Sequence, residues 1–162
     1  MVEPMIGKPE KVQMGKMKAP KQVAPKAEAK PMTSAEIIEQ SARKEAPGTD
    51  ISKFMQTLGY MVQRKMVQLL QIGNTVFMLK PQPDGSVEFH TFTTEPIEEL
   101  VKRYQAGINS LKQMGFKKAY SYATSPAFVK IAEQTGLPVR TTQSQTMQGN
   151  QMVPAYRFEV DL

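Results

Sequence analysis

The sequence predicts a mixed α/β fold of the α+β type over residues 33–162, an antiparallel meander flanked by helices, behind an extended basic arm over residues 1–32. Three observations carry that expectation. Apolar residues recur at helical spacing through Phe54, Leu58, Met61 and Val62, alternate through Val87, Phe89 and Thr91, and return to helical spacing from Ile97. Turn chemistry falls where the period changes, at Gly73-Asn74, at Pro81 to Gly85 and at Gly115. The first 32 residues are set apart by Pro4, Pro9, Pro20, Pro25 and Pro31. Proline lacks the N–H and has a fixed φ, so it breaks helix and central strand alike.

Taken in order, Thr33-Ser-Ala-Glu36 is a capping box that starts a first helix, which ends near Glu45 ahead of Ala46-Pro47-Gly48. Asp50 caps a second helix, which bears the apolar face just named. Residues 66–72 read as a strand, 75–80 as a second and 86–93 as a third, with Gly85 taking positive φ in the hairpin between the last two. On the third strand Val87, Phe89, Thr91 and Thr93 share one face, and Glu88, His90 and Phe92 the other. Pro96 opens a long helix, with Glu95, Glu98 and Glu99 at the end where the macrodipole favours anions. Its stripe is Ile97, Leu100, Val101, Tyr104, Ile108 and Leu111, and Gly115 stops it. Residues 117–123 form a strand. Ser125 caps a shorter helix with Pro126 at its first position, Phe128, Ile131 and Ala132 facing inward and Gly136 at its end. A strand over 139–145, a polar loop over 146–151 and a strand over 154–161 complete the fold.

Composition narrows the chemistry. The chain has no cysteine, which excludes disulfides, thiolate metal sites and a cysteine nucleophile. His90 is the only histidine; beside Glu88 it is a candidate general base, but no second histidine or Ser/His/Asp order supports a metal site or a triad. Apolar runs are far shorter than the roughly 20 residues of a membrane helix, and the start has no apolar core of signal-peptide length, so no membrane partner is expected. The net charge of +6 is uneven: residues 1–32 hold seven lysines against Glu3, Glu10 and Glu28. The basic character therefore belongs to the arm. Met5, Lys8, Lys11, Met14, Lys16, Met17, Lys18, Lys21, Lys26 and Lys30 are its candidate partner-contacting residues, the methionines as adaptable groove fillers and the lysines for an acidic surface or nucleic-acid phosphates without base readout. Lys102, Arg103, Lys112, Lys117 and Lys118 read as ordinary solvated surface, with a basic patch around the long helix and the strand after it as the alternative.

The run from Gly115 to Gly136, GFKKAYSYATSPAFVKIAEQTG, carries a resemblance. A helix ending at glycine, a strand, a Ser-Pro-Ala turn and a helix ending at glycine, together with the order of elements over residues 33–162, resemble the acyl-CoA N-acyltransferases of the GNAT superfamily. The resemblance implies a mixed sheet and a cofactor pyrophosphate held on backbone N–H groups of a Gly-rich loop before the long helix. That place here reads Thr93-Thr-Glu-Pro-Ile-Glu-Glu99, with no glycine and three carboxylates. The resemblance also implies a tyrosine acid on the shorter helix, where this chain has Ala132, and an aromatic after its glycine, where it has Leu137. Tyr120 and Tyr122 sit on the preceding strand.

These departures set the functional expectation. The chain is expected to be a non-catalytic assembly component without a cofactor, tethered to other protein chains by its arm, in a virion or the host cytoplasm; small, basic, cysteine-free proteins of this kind look like tailed-phage virion components. The alternative is an N-acetyltransferase using acetyl-CoA with an atypical cofactor loop. A third reading is non-specific association with nucleic acid through the arm.

Overall fold

The computed structural model describes residues 31–162. The partner-contacting residues expected on the arm, Met5 to Lys30, lie outside the described residues. The elements are α1 (Ser34–Glu45), α2 (Ile51–Gln63), β1 (Gln68–Ile72), β2 (Thr75–Pro81), β3 (Ser86–Thr93), α3 (Ile97–Gln113), β4 (Lys118–Ala123), α4 (Ala127–Gln134), β5 (Arg140–Gln148) and β6 (Gln151–Asp161). The strands form one mixed sheet in the order β1-β2-β3-β4-β6-β5. None of the described helices is long and apolar enough to cross a membrane.

The sheet separates two apolar layers through the alternation of its strands. Phe77 and Leu79 of β2, with Val87 and Phe89 of β3, pack against Leu111, Tyr104 and Ile108 of α3. Val76 of β2 and Phe92 of β3 pack on the opposite face, against Ile37 and Ile38 of α1 and Leu58 of α2. Both helices of that layer start as the sequence predicts. Thr33 Oγ1 accepts from Glu36 N while Glu36 Oε1 accepts from Thr33 N, and Asp50 Oδ1 accepts from Lys53 N.

Three expectations are corrected. The polar loop over 146–151 is a continuation of the β5–β6 hairpin, paired Thr146↔Val153, Met147↔Met152 and Gln148↔Gln151, with only Gly149 and Asn150 at the turn. Gly149 supplies the positive φ of 66° that such a tight turn requires. Solvent covers this end of the hairpin, so its strands need no apolar alternation and read as a loop. Pro154 fits within β6 because β4 pairs with β6 only from Tyr156 onward, which leaves one side of Pro154 without a ladder partner. Ile97, assigned to the apolar stripe of α3, is half exposed; it lies on the first turn, beyond the reach of the sheet. The first strand begins at Gln68 rather than 66, because Lys65 turns to a φ of 59° and Met66 N still bonds back to Met61 O.

Candidate active site

β3 and β4 are the parallel neighbours of the sheet. Their ladder holds for three register pairs, Ser86↔Lys118, Val87↔Ala119 and Glu88↔Tyr120. Beyond it β3 continues to Thr93 on β2, and β4 continues to Ala123 on β6, so the two strands part. The gap opens into a cavity of about 610 Å³, walled by Phe89, Ile108, Phe128, Ile131, Leu137 and Phe158 and rimmed by Thr146–Gly149 of the last hairpin. Thr94 N donates to Asn74 O and Gln82 N to Ser86 O, so the even-numbered residues of β3 turn their backbone groups toward β2. Alternation then aims the N–H and C=O of Thr91 at the gap, past the last ladder pair.

Two polar constellations line the gap from opposite faces of β3. On the α3 face, Tyr104 Oη donates to Thr91 Oγ1 at 2.9 Å. Burial pushes the Tyr104 phenol up to about 12, so it remains a donor at any physiological pH. With its oxygen engaged, the Thr91 hydroxyl retains its own hydrogen for a ligand. On the α1 face, His90 Nε2 lies 3.5 Å from Glu45 Oε1. Glu45 is the last residue of α1, where a carboxylate opposes the macrodipole. The sequence paired His90 with Glu88; the fold brings Glu45 to it and leaves Glu88 lining the same cavity. Neither Glu45 nor the Tyr104–Thr91 pair was found from sequence. The first reads as a helix end and the second as stripe and strand.

The remaining sequence candidates are placed as follows. Ala132, Leu137, Ser125 and Tyr122 all line the gap. Ser125 Oγ accepts from Ala127 N, as a cap does, although the helix begins only at Ala127. Tyr122 Oη accepts from Arg157 Nη1 at 2.6 Å, and the Arg157 guanidinium stacks 4.3 Å over the Tyr120 ring. Of the basic residues around α3, Arg103 binds Glu95, and Lys118 binds Glu159 on another strand. Glu159 is held by Lys118, Arg140 and Arg157, the three cations together lowering its carboxyl to about 2.

Coenzyme A combines an extended, amide-bearing thiol arm with a nucleotide diphosphate, and the site fits only the first part. The gap has the length of unpaired strand edge and the apolar walls that an extended arm needs. The β3–α3 junction is a poor cradle for the diphosphate. Thr93 N donates to Ser41 Oγ, Thr94 N to Asn74 O, Glu95 N to Thr93 Oγ1 and Glu99 N to Pro96 O, Pro96 has no N–H, and the two donors left at the helix start, Ile97 N and Glu98 N, stand beside the carboxylates of Glu98 and Glu99. Glu95, expected at the helix end as a dipole partner, instead takes both Nε and Nη2 of Arg103 at 2.7 Å and the Thr75 hydroxyl at 2.8 Å.

No family model matches the sequence, and no curated protein matches it. Solved structures do match. A mutant of the spermidine N-acetyltransferase SpeG from Vibrio cholerae superposes with a TM-score of 0.62 at 8% identity, covering 82% of this chain and 93% of that one. A ribosomal-protein-alanine N-acetyltransferase from Brucella melitensis gives 0.57 at 9% identity, over 82% and 98% of the two chains. A Bacillus subtilis acetyltransferase in complex with CoA gives 0.52 at 12% identity, over 81% and 94%. The chain has a GNAT-like fold. This bears out the mixed sheet and flanking helices expected over residues 33–162. It also corrects the expectation of a non-catalytic virion component: these structural relatives are acetyltransferases, and the virion, bacteriophage and structural-protein readings find no support among them. The departures at Ala132 and at residues 93–99 stand in a fold whose β3 and β4 part beyond Glu88↔Tyr120.

Proposed function

We propose that this protein is an N-acyltransferase that moves an acyl group from a thioester to an amine in the gap between β3 and β4. The parting of the two strands after Glu88↔Tyr120 carries the reading, since it exposes strand edge to an extended donor while both faces of β3 present polar groups to the reacting atoms. The likeness to acetyltransferases supports it at the level of fold.

The chemistry follows from the two constellations. The amine nitrogen attacks the thioester carbonyl; the C–N bond forms, the C–S bond breaks, and the nitrogen proton leaves. With Nε2 facing Glu45, His90 can use Nδ1 to take that proton, and the carboxylate stabilises the imidazolium that results. The Thr91 hydroxyl, held by Tyr104, donates to the developing negative charge on the other face. The departing thiolate takes a proton from solvent and leaves as a thiol, and His90 returns its proton to solvent.

The acceptor is an amine that enters as its ammonium ion and gives one proton to solvent before the neutral nitrogen attacks. Glu45, Glu88 and Glu159 are the charged residues along the gap, with no lysine or arginine among its lining. Glu159 is neutralised by its three cations, which leaves Glu45 and Glu88 to attract a positive group. The test is amine-dependent thiol release by the full chain, with acetyl-pantetheine and acetyl-CoA as donors and polyamines, lysine peptides and neutral amines as acceptors. Release with cationic amines in preference to neutral ones is expected. Absence of amine-dependent release from either thioester would overturn the proposal.

A further inference from the structure

We infer that the donor is recognised by its pantetheine arm alone, without its adenosine diphosphate. The inference rests on the acyltransfer reading and concerns which thioester the gap accepts.

Three observations converge on it. Three backbone donors of the β3–α3 junction are engaged within the protein, Thr93 N by Ser41 Oγ at 3.1 Å, Thr94 N by Asn74 O at 3.2 Å and Glu95 N by Thr93 Oγ1 at 3.0 Å, which leaves Ile97 N and Glu98 N at the uncapped start of α3 without a partner among the described residues. A diphosphate bound through N–H groups at this helix start would have those two beside Pro96, which has none, and would have to break the other three bonds to gain more. The charges there have the wrong sign. Glu98 and Glu99 occupy the first turn of α3, where they already satisfy the helix dipole and repel a second anion. Arg103, on the same helix, is not free to turn to a phosphate. It forms a two-bond fork with Glu95, and its guanidinium fills the space over Gly73, where a Cβ would fall 2.5 Å from Nη2.

The gap itself supplies what the rest of the donor needs. Its walls are apolar, and Thr91 offers an N–H and a C=O to an arm built around two amides. A pantetheine thioester reaches such a site either as a small molecule or as the phosphopantetheine group of a carrier protein. Both share the arm and lack the nucleotide.

Calorimetry on the full chain separates the possibilities, with pantetheine, CoA and 3′,5′-ADP as probes, alongside acyl transfer from acetyl-pantetheine, an acetylated phosphopantetheinyl carrier protein and acetyl-CoA. Pantetheine and CoA should bind within about threefold of each other, and 3′,5′-ADP should not bind. Transfer from acetyl-pantetheine should likewise match acetyl-CoA, and a further gain of tenfold or more with the carrier, on the order of 1.4 kcal/mol, would assign the carrier as the source. CoA binding roughly 100-fold tighter than pantetheine, or heat from 3′,5′-ADP, overturns the inference and leaves acyl transfer standing. If neither pantetheine nor CoA binds, the acyltransfer reading fails and this inference fails with it. The variant E98Q/E99Q adds a control that does not touch the gap. It should leave pantetheine affinity unchanged and tighten CoA by no more than about tenfold, because the engaged N–H groups remain; a CoA affinity that falls in this variant would show those carboxylates to be part of a nucleotide site and would overturn the inference.

Discussion

Gly107 and Gly59 show how one atom's surroundings set the sign of a substitution. Both lie inside helices, where alanine is favoured over glycine by about 1 kcal/mol. At Gly107 a Cβ would stand 2.8 Å from the Phe77 ring, which is itself packed against Phe89 and Tyr104. Overpacking of that kind costs about 1–3 kcal/mol and outweighs the propensity gain. Urea denaturation should therefore find Gly107→Ala destabilised and Gly59→Ala, with nothing within 4 Å of the new methyl, stabilised by about 0.5–1 kcal/mol. The site residues are tested at the same scale. His90→Gln should lower kcat/KM about 10²–10³-fold with the thermal midpoint nearly unchanged, since the side chain is 42% exposed. Thr91→Val removes the acceptor of the buried Tyr104 phenol, so it should lose both activity and about 1–3 kcal/mol of stability. Tyr104→Phe distinguishes positioning from catalysis: if Tyr104 only orients Thr91, the variant should lower kcat while leaving KM and the shape of the pH profile in place.

Elements are joined by a few clamps between distant segments. Glu95, just before α3, ties the β1–β2 turn to that helix through Thr75 and Arg103. The guanidinium holds the Glu95 carboxyl below its usual range, with the Thr75 hydroxyl adding to the effect. The pair is largely shielded, with 13% of the Glu95 side chain exposed. Removing the charge should leave Arg103 short of a partner, so Glu95→Gln should destabilise by on the order of 1–3 kcal/mol and raise hydrogen exchange at the β1–β2 turn ahead of the rest of the sheet. A uniform rise across the sheet would argue against a local clamp. The β5–β6 hairpin works differently. Its tip pairs Met147 with Met152 in solvent, and the same tip rims the gap, so length here serves the cavity rather than the core.

Over the whole molecule, carboxylates held by arginine link stability to pH. Glu159 falls to about 2 and Glu95 and Asp161 are lowered as well, each chiefly through hydrogen bonds from arginine. A carboxylate whose folded value is depressed stabilises the fold fully above its unfolded value and ceases to as the pH drops toward the folded one. The thermal midpoint should therefore hold steady down to about pH 5 and fall progressively below it. Glu159 is partly solvated and its partners Lys118 and Arg140 are exposed, so its share is on the order of 1 kcal/mol after screening. Glu159→Gln should flatten that acid limb. A limb unchanged in the variant would place the titration elsewhere.

The sequence by itself determined the local elements. Capping at Thr33 and Asp50, turns at Gly73 and Gly85 and the alternation through β3 depend on neighbours within a few residues, and they stand in the structure as read. It also exposed the departures at Ala132 and Thr93–Glu99, because those are absences at named positions. Only the tertiary structure decided what the absences mean. The gap exists because β3 follows β2 while β4 follows β6, and the second of these pairings joins segments far apart along the chain, from Lys118↔Asp161 to Ala123↔Tyr156. Glu45 meets His90, Tyr104 meets Thr91 and Ser41 takes the Thr93 N–H for the same reason. Periodicity records which face of an element is apolar. It carries no record of which polar group on another element will stand opposite, and at this site those encounters are the chemistry.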